Sequence, residues 1–250
     1  MLDIDGTIYQ TLDLKERAWQ ATKANSRSIG IEIANIGAYA PRGTDAEQQE
    51  RNPLTQWYRK DENGRTRLVL PAFLSKNSGV RTPNFVGYPA RNEPVVGMVQ
   101  GRVLQQYDLT PQQYDSLIKL TATVCTVLPK INCDGPRDAS GMVTNHKIPD
   151  EEYERYQGLL GHYHVQTNKT DPGPAFDWEK VVRGARKLMS AQARAANRRE
   201  LDHPALPKND AESSAPATTM NAAQAATRPS GRFRRRTSGP AATQPATTQP

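Results

Sequence analysis

The stretch GHYHVQTNKTDPGPAFDW, residues 161–178, decides how this chain is read. It places His162, Lys169 and Asp171 in one short segment and stiffens the backbone around the aspartate. Asp171 and Gly173 each precede a proline, which disfavours the α region and predicts extended backbone at both. Pro172 and Pro174 have a fixed φ and no amide donor, so the loop has few alternative shapes. Lys169 and Asp171 are two residues apart, so an extended backbone points their side chains to one side. His162 approaches that side from the end of a preceding strand. A neutral imidazole, a carboxylate and a stiff loop suit a zinc ion held with an open coordination position.

Upstream, residues 28–34 (SIGIEIA) alternate cleanly. Ile29, Ile31 and Ile33 share one face, which predicts core; Ser28, Gly30, Glu32 and Ala34 share the other. That second face is small-sided around one carboxylate and leaves room for a ligand or another backbone to approach. Residues 2–10 predict a β-hairpin with Asp5-Gly6 as its two-residue turn. Thr110-Pro-Gln-Gln113 is a helix start, with Thr as N-cap, Pro at the first helical position and Gln at the third. Tyr114, Leu117, Ile118, Thr121, Val124, Cys125 and Leu128 then form a stripe at helical spacing, stopped by Pro129. A second helix is expected after Asp177, with Trp178, Val181, Val182, Ala185, Leu188 and Met189 on its inner face.

The 161–178 run, with Gly-His at its head and KTDPGPAFDW at its tail, closely resembles the C-terminal zinc motif of the N-acetylmuramoyl-L-alanine amidases. These share a fold with peptidoglycan-recognition proteins. Residues 27–35 (RSIGIEIAN), 5–10 (DGTIYQ) and 17–19 (RAW) resemble the same family. The resemblance implies an α/β fold with a central mixed β-sheet flanked by helices. It implies His162 and Asp171 as Zn2+ ligands, Lys169 beside the reacting carbonyl, and Glu32 as the group that takes and returns the proton. Trp19, Gln20 and His164 fall to the substrate groove, with Gln20 standing where relatives often carry His. Zinc supplies an activated water, with a pKa lowered to about 7, and polarises the carbonyl. The bond cut would join N-acetylmuramic acid to the L-alanine of a stem peptide, so peptidoglycan or a muropeptide is the expected partner. The family favours the cell envelope or periplasm.

One departure stands out. Catalytic zinc sites keep three protein ligands, and the family takes its first His from a strand just before the Asp-Gly-Thr hairpin, which here would precede Met1. The sequence as written carries two ligands of three. The expectation is a reading frame that continues upstream and encodes a His within a few codons. The alternative is a non-catalytic peptidoglycan-binding module that has lost the metal site.

The remaining organisation follows from composition. The chain has 250 residues, a net charge of +7 and 36% hydrophobic residues, with a mean hydropathy of -0.75. Such values allow one substantial core plus solvated accessories, and no apolar run approaches the length needed to span a membrane. The expected amidase domain covers residues 1–196, with a long insertion at about 38–102. Hairpins are expected there around Asn63-Gly64 and Gln100-Gly101, with loop across 75–93. Residues 197–250, rich in Ala, Thr, Pro and Gln, predict a disordered basic tail. Its RFRRR cluster, residues 232–236, would contact anionic polymers such as wall glycan, lipid headgroups or nucleic acid. Cys125 and Cys133 make no disulfide framework; one bridge is open to them, and buried free thiols are the expected state. A monomer is expected.

Overall fold

The computed structural model describes residues 1–43, 51–71, 74 and 79–202. In order these form α1 (Pro53–Trp57), β1 (Tyr58–Lys60), β2 (Thr66–Leu68), β3 (Val95–Val99), β4 (Arg102–Gln106), α2 (Pro111–Val127), α3 (Asp150–Arg155), α4 (His162–Val165) and α5 (Trp178–Asp202). The class is α/β, with helices and small antiparallel sheets. Both expected hairpins are present: β1 pairs β2, and β3 pairs β4. At the β3–β4 turn, Gln100 and Gly101 take φ of 54° and 71°, the pair of left-handed residues that suits the twist of a tight hairpin. Residues 79–93 run without helix or strand, as expected; 75–78 lie outside the described residues. So do residues 203–250 and with them the expected basic tail. Helix α5 itself continues to Asp202, past the boundary expected at 196.

Mixed strand pairing survives around Leu2, reduced to single bridges: antiparallel to Ile8 and parallel to Ile33. Leu2 N–H donates to the Glu32 carbonyl at 2.7 Å, and Ala34 N–H returns a bond to Leu2 at 2.9 Å. The hairpin turn differs from expectation. Gly6 N–H bonds the Asp3 carbonyl at 3.0 Å and Gly6 has φ of 82°. The loop is therefore Ile4-Asp5-Gly6, a three-residue turn with glycine at the left-handed position. The 28–34 segment is also less buried than its alternation predicts. Ile33 packs against Leu2, Tyr114 and Leu117, whereas Ile31 is 38% exposed. A segment paired at one bridge along one edge has no sheet to bury its outer residues.

Helix α2 is anchored where the sequence predicts. Thr110 and Gln113 form a capping box, and both residues reach further. Thr110 Oγ1 donates to the Ile4 carbonyl at 2.7 Å, and Gln113 Nε2 donates to the Ala34 carbonyl at 2.7 Å. The cap thus joins the helix start to the hairpin and to the 28–34 segment. Helices α2 and α5 pack closely, with Gly184 against Ile118. Cys125 and Cys133 are free, buried thiols in the core between them, and burial raises the pKa of both.

The β4–α2 junction carries a buried polar cluster that the sequence did not announce. The Asp108 carboxylate accepts from Tyr114 Oη at 2.6 Å, Arg91 Nε at 2.6 Å and Leu109 N–H at 2.8 Å. Tyr114 Oη in turn accepts from Asp177 N–H at 3.0 Å, and Arg91 donates to the Ala175 carbonyl. Burial and the adjacent Asp108 charge push the Tyr114 phenol far above its ordinary pKa, so it remains a donor. Tyr114→Phe would strip Asp108 of one donor and leave the Asp177 amide without its acceptor. We expect urea unfolding to show a loss of about 1–3 kcal/mol; an unchanged midpoint would mean that water replaces the phenol at no cost.

Candidate active site

Residues 161–178 are braced from several sides. Gly173 takes φ of 89° rather than the extended backbone expected before proline. The pre-proline clash acts against the right-handed α region, and glycine alone escapes it to positive φ without penalty. A side chain there would also collide with Gln106, whose Oε1 lies 2.1 Å from the ideal Cβ position. The buried Gln106 amide holds the loop, donating to the Pro172 carbonyl at 2.9 Å and accepting from Ala175 N–H at 3.1 Å. Tyr163 N–H donates to the Asp171 carbonyl at 3.2 Å, and Trp178 Nε1 donates to Tyr163 Oη at 2.9 Å. The backbone carrying Asp171 is fixed by contacts that leave its side chain 62% exposed.

His162 does not end a strand. It opens α4, a helix of four residues, and its ring meets Asp171 across the loop, Nδ1 to Oδ2 at 3.1 Å. At 3.1 Å the two atoms are at hydrogen-bond distance, a little closer than the roughly 3.4 Å that separates two donors on one tetrahedral zinc. The other ring nitrogen, Nε2, lies 2.7 Å from Gln166 Oε1. Gln166 is a site residue that sequence reading missed. The signal was its position four residues after His162, one helical turn away, hidden because the segment was read as extended. Among the described residues, no three His, Cys, Asp or Glu side chains gather to hold a metal ion.

Beside His162 opens a groove of about 500 Å³ lined by Arg17, Trp19, Gln20, Thr22, Gln166 and Lys169, among others. His162, Lys169, Trp19 and Gln20 are therefore brought together. Glu32 is exposed and is not among the lining residues. The groove reaches its segment through Gln20, whose carboxamide occupies the space a Cβ on Gly30 would need and donates to Ser28 Oγ at 3.0 Å. The room expected over Gly30 is thus filled by the protein's own side chain.

His164 corrects another expectation. It does not line the groove; it is 0% exposed, packed between Tyr163 and Trp178. Its Nδ1 accepts from Gly161 N–H at 2.9 Å and its Nε2 contacts the Thr144 carbonyl at 2.8 Å. Those partners select the neutral tautomer with hydrogen on Nε2. The alternation His-x-His placed both rings on one side of an extended chain; on a helix they diverge, and His164 turns inward.

The N-terminal part of the chain, residues 1–67, matches the family model described as N-acetylmuramoyl-L-alanine amidase, which supports the amidase family. The matched region includes the hairpin, Trp19, Gln20 and Glu32, and stops short of residues 161–178. No curated protein and no solved structure matches the chain.

The buried imidazole predicts a pH dependence. Burial lowers the His164 pKa from 6.5 to about 4, so between those values the unfolded chain binds a proton that the folded one refuses. Stability from this group is fully present above pH 6.5 and falls as pH drops toward 4, by about 3 kcal/mol across the window. His164→Gln keeps a donor and an acceptor without titrating. Denaturant midpoints from pH 4 to 7 should show a flatter profile in that variant, and parallel profiles would contradict the assignment.

Proposed function

We propose, from the amidase-family match over residues 1–67, that the chain hydrolyses the amide bond between N-acetylmuramic acid and L-alanine in peptidoglycan or muropeptides. The observation that carries the reading is the approach of His162 to Asp171 at 3.1 Å on the border of a groove that also holds Lys169 and Trp19. Zinc is the resident ion that these donors suggest, through His162 Nδ1 and Asp171 Oδ2. When bound, such an ion supplies Lewis acidity and an activated water. The described residues provide two of the three protein donors a catalytic zinc keeps, so the set does not fit a complete site.

The chain's own groups have definable tasks. Lys169 brings an ammonium to the groove, where it would stabilise negative charge on the carbonyl oxygen as the amide is attacked. Glu32 would take a proton from the attacking water and pass it to the leaving amine, which requires the substrate or the 28–34 segment to close the distance between Glu32 and the groove. Gln166 would hold the His162 ring through Nε2 and leave Nδ1 toward Asp171. The incomplete donor set favours a second reading, a module that binds peptidoglycan without cutting it.

One experiment separates the two. Purified chain is incubated with peptidoglycan and with a muramoyl peptide, with and without added zinc, and new L-alanine amino groups are counted alongside chain retained on the polymer. Amine release is expected, with Lys169→Ala and Glu32→Gln each lowering it about 100-fold or more. His162→Ala and Asp171→Ala should lose zinc retention in equilibrium dialysis. Retention on the polymer without amine release would replace the hydrolase reading by the binding one.

A further inference from the structure

We propose that Gln100 is a positioning residue for the candidate site: from the β3–β4 turn its carboxamide closes the open end of α4 and so sets where His162 and Gln166 stand at the groove. The inference rests on the reading of the groove as a hydrolase site. A helix of four residues cannot hold itself, because nucleation costs more than its few bonds return, and its last carbonyls lack partners within the helix. At α4 the amides of His164 and Gln166 bond to the carbonyls of Gly161 and His162, each at 3.0 Å. The carbonyls of Tyr163 and Gln166 instead accept from Gln100 Nε2, at 2.7 Å and 2.8 Å.

Every polar atom of this carboxamide is committed to backbone. Its oxygen accepts from Lys147 N–H at 3.2 Å while its nitrogen serves the two carbonyls, and these partners leave one orientation for the amide. The 144–148 loop completes the clamp. Gln100 N–H donates to the Asn145 carbonyl at 2.9 Å, and Ile148 N–H donates to the His164 carbonyl at 3.0 Å. The turn itself does not ask for glutamine. Gln100 sits at φ of 54°, where asparagine, aspartate or glycine is the favourable choice, so what the longer side chain adds is reach. From the clamp the path to the groove is short. Gln100 holds the Gln166 carbonyl, the Gln166 side chain meets His162 Nε2 at 2.7 Å, and both residues line the groove. A loosened α4 would therefore displace the imidazole and its Gln166 partner together.

The test uses the full chain with Gln100→Asn and Gln100→Glu. Asparagine keeps the left-handed turn but is a methylene too short to serve both carbonyls; glutamate keeps the length and loses both donors. Wild type and variants are compared in hydrogen exchange of the His164 and Gln166 amides, in the His162 ring signals by NMR at one pH, and in kcat and KM for amine release from a muramoyl peptide. In either variant the two amides should exchange about tenfold faster and the ring signals should shift. The same variants should lose about tenfold in kcat with KM nearly unchanged. A role confined to the turn would leave every readout of Gln100→Asn at its wild-type value, and that result overturns the clamp. Faster exchange with either the ring signals or kcat unchanged would overturn the positioning role and leave a structural one. Should wild type release no amine, the hydrolase reading falls, and exchange and ring signals still decide whether Gln100 positions His162.

Discussion

The buried carboxylate of Asp108 is the constraint on which the arrangement depends. A charge removed from water is costly unless it is paired and hydrogen-bonded, and here the donors come from three parts of the chain: Arg91 from the region before β3, Tyr114 from α2, and the Leu109 amide. Satisfying one carboxylate therefore fixes the start of α2 against the loop before β3. The same phenol and guanidinium then reach Asp177 and Ala175, so the requirement extends into the loop that carries Asp171. Loss of any donor leaves the others holding a charge that cannot be resolvated, which makes the cluster cooperative.

The sequence made the local elements legible where a single mechanism dominates. Thr110, Pro111 and Gln113 wrote the start of α2 because each satisfies a known need of a helix N-terminus, and Gln100-Gly101 wrote the β3–β4 turn. Legibility failed where tertiary contacts decide. The alternation at 28–34 predicted a buried strand, yet burial needs neighbours on both edges, and the one bridge at Ile33 supplies one. The polar cluster at Asp108 was invisible because its members are spread from Arg91 to Asp177, with no periodicity connecting them.

The candidate site divides in the same way. His162 and Asp171 meet as their motif suggested, although the imidazole arrives from a helix. That difference carries the consequences: it turns His164 into the core as a neutral, hydrogen-bonded ring, and it brings Gln166 to the far nitrogen of His162. Reading the segment as extended gave two histidines one role, and the helical turn gives them opposite ones. Glu32 is exposed and outside the lining of the groove, while Gln20 lies over Gly30 in the same segment, a placement that strand alternation alone could not settle.

The loop around Asp171 shows where ordering has been concentrated. Its backbone is held by the Gln106 amide, by Tyr163, by the demand for glycine at 173 and by the Asp108 cluster beyond, at a considerable cost in conformational entropy. If the carboxylate served stability, such bracing would be expected to bury it among donors, as it does for Asp108. Instead the carboxylate stays largely in solvent and meets His162 at its edge. An ion pair with one partner this exposed contributes little to folding, so stability does not account for the bracing. Rigid backbone beneath a solvent-facing carboxylate that meets a largely buried imidazole is the arrangement that a binding site requires, because a ligand atom gains from donors already in place and loses from those it must first order.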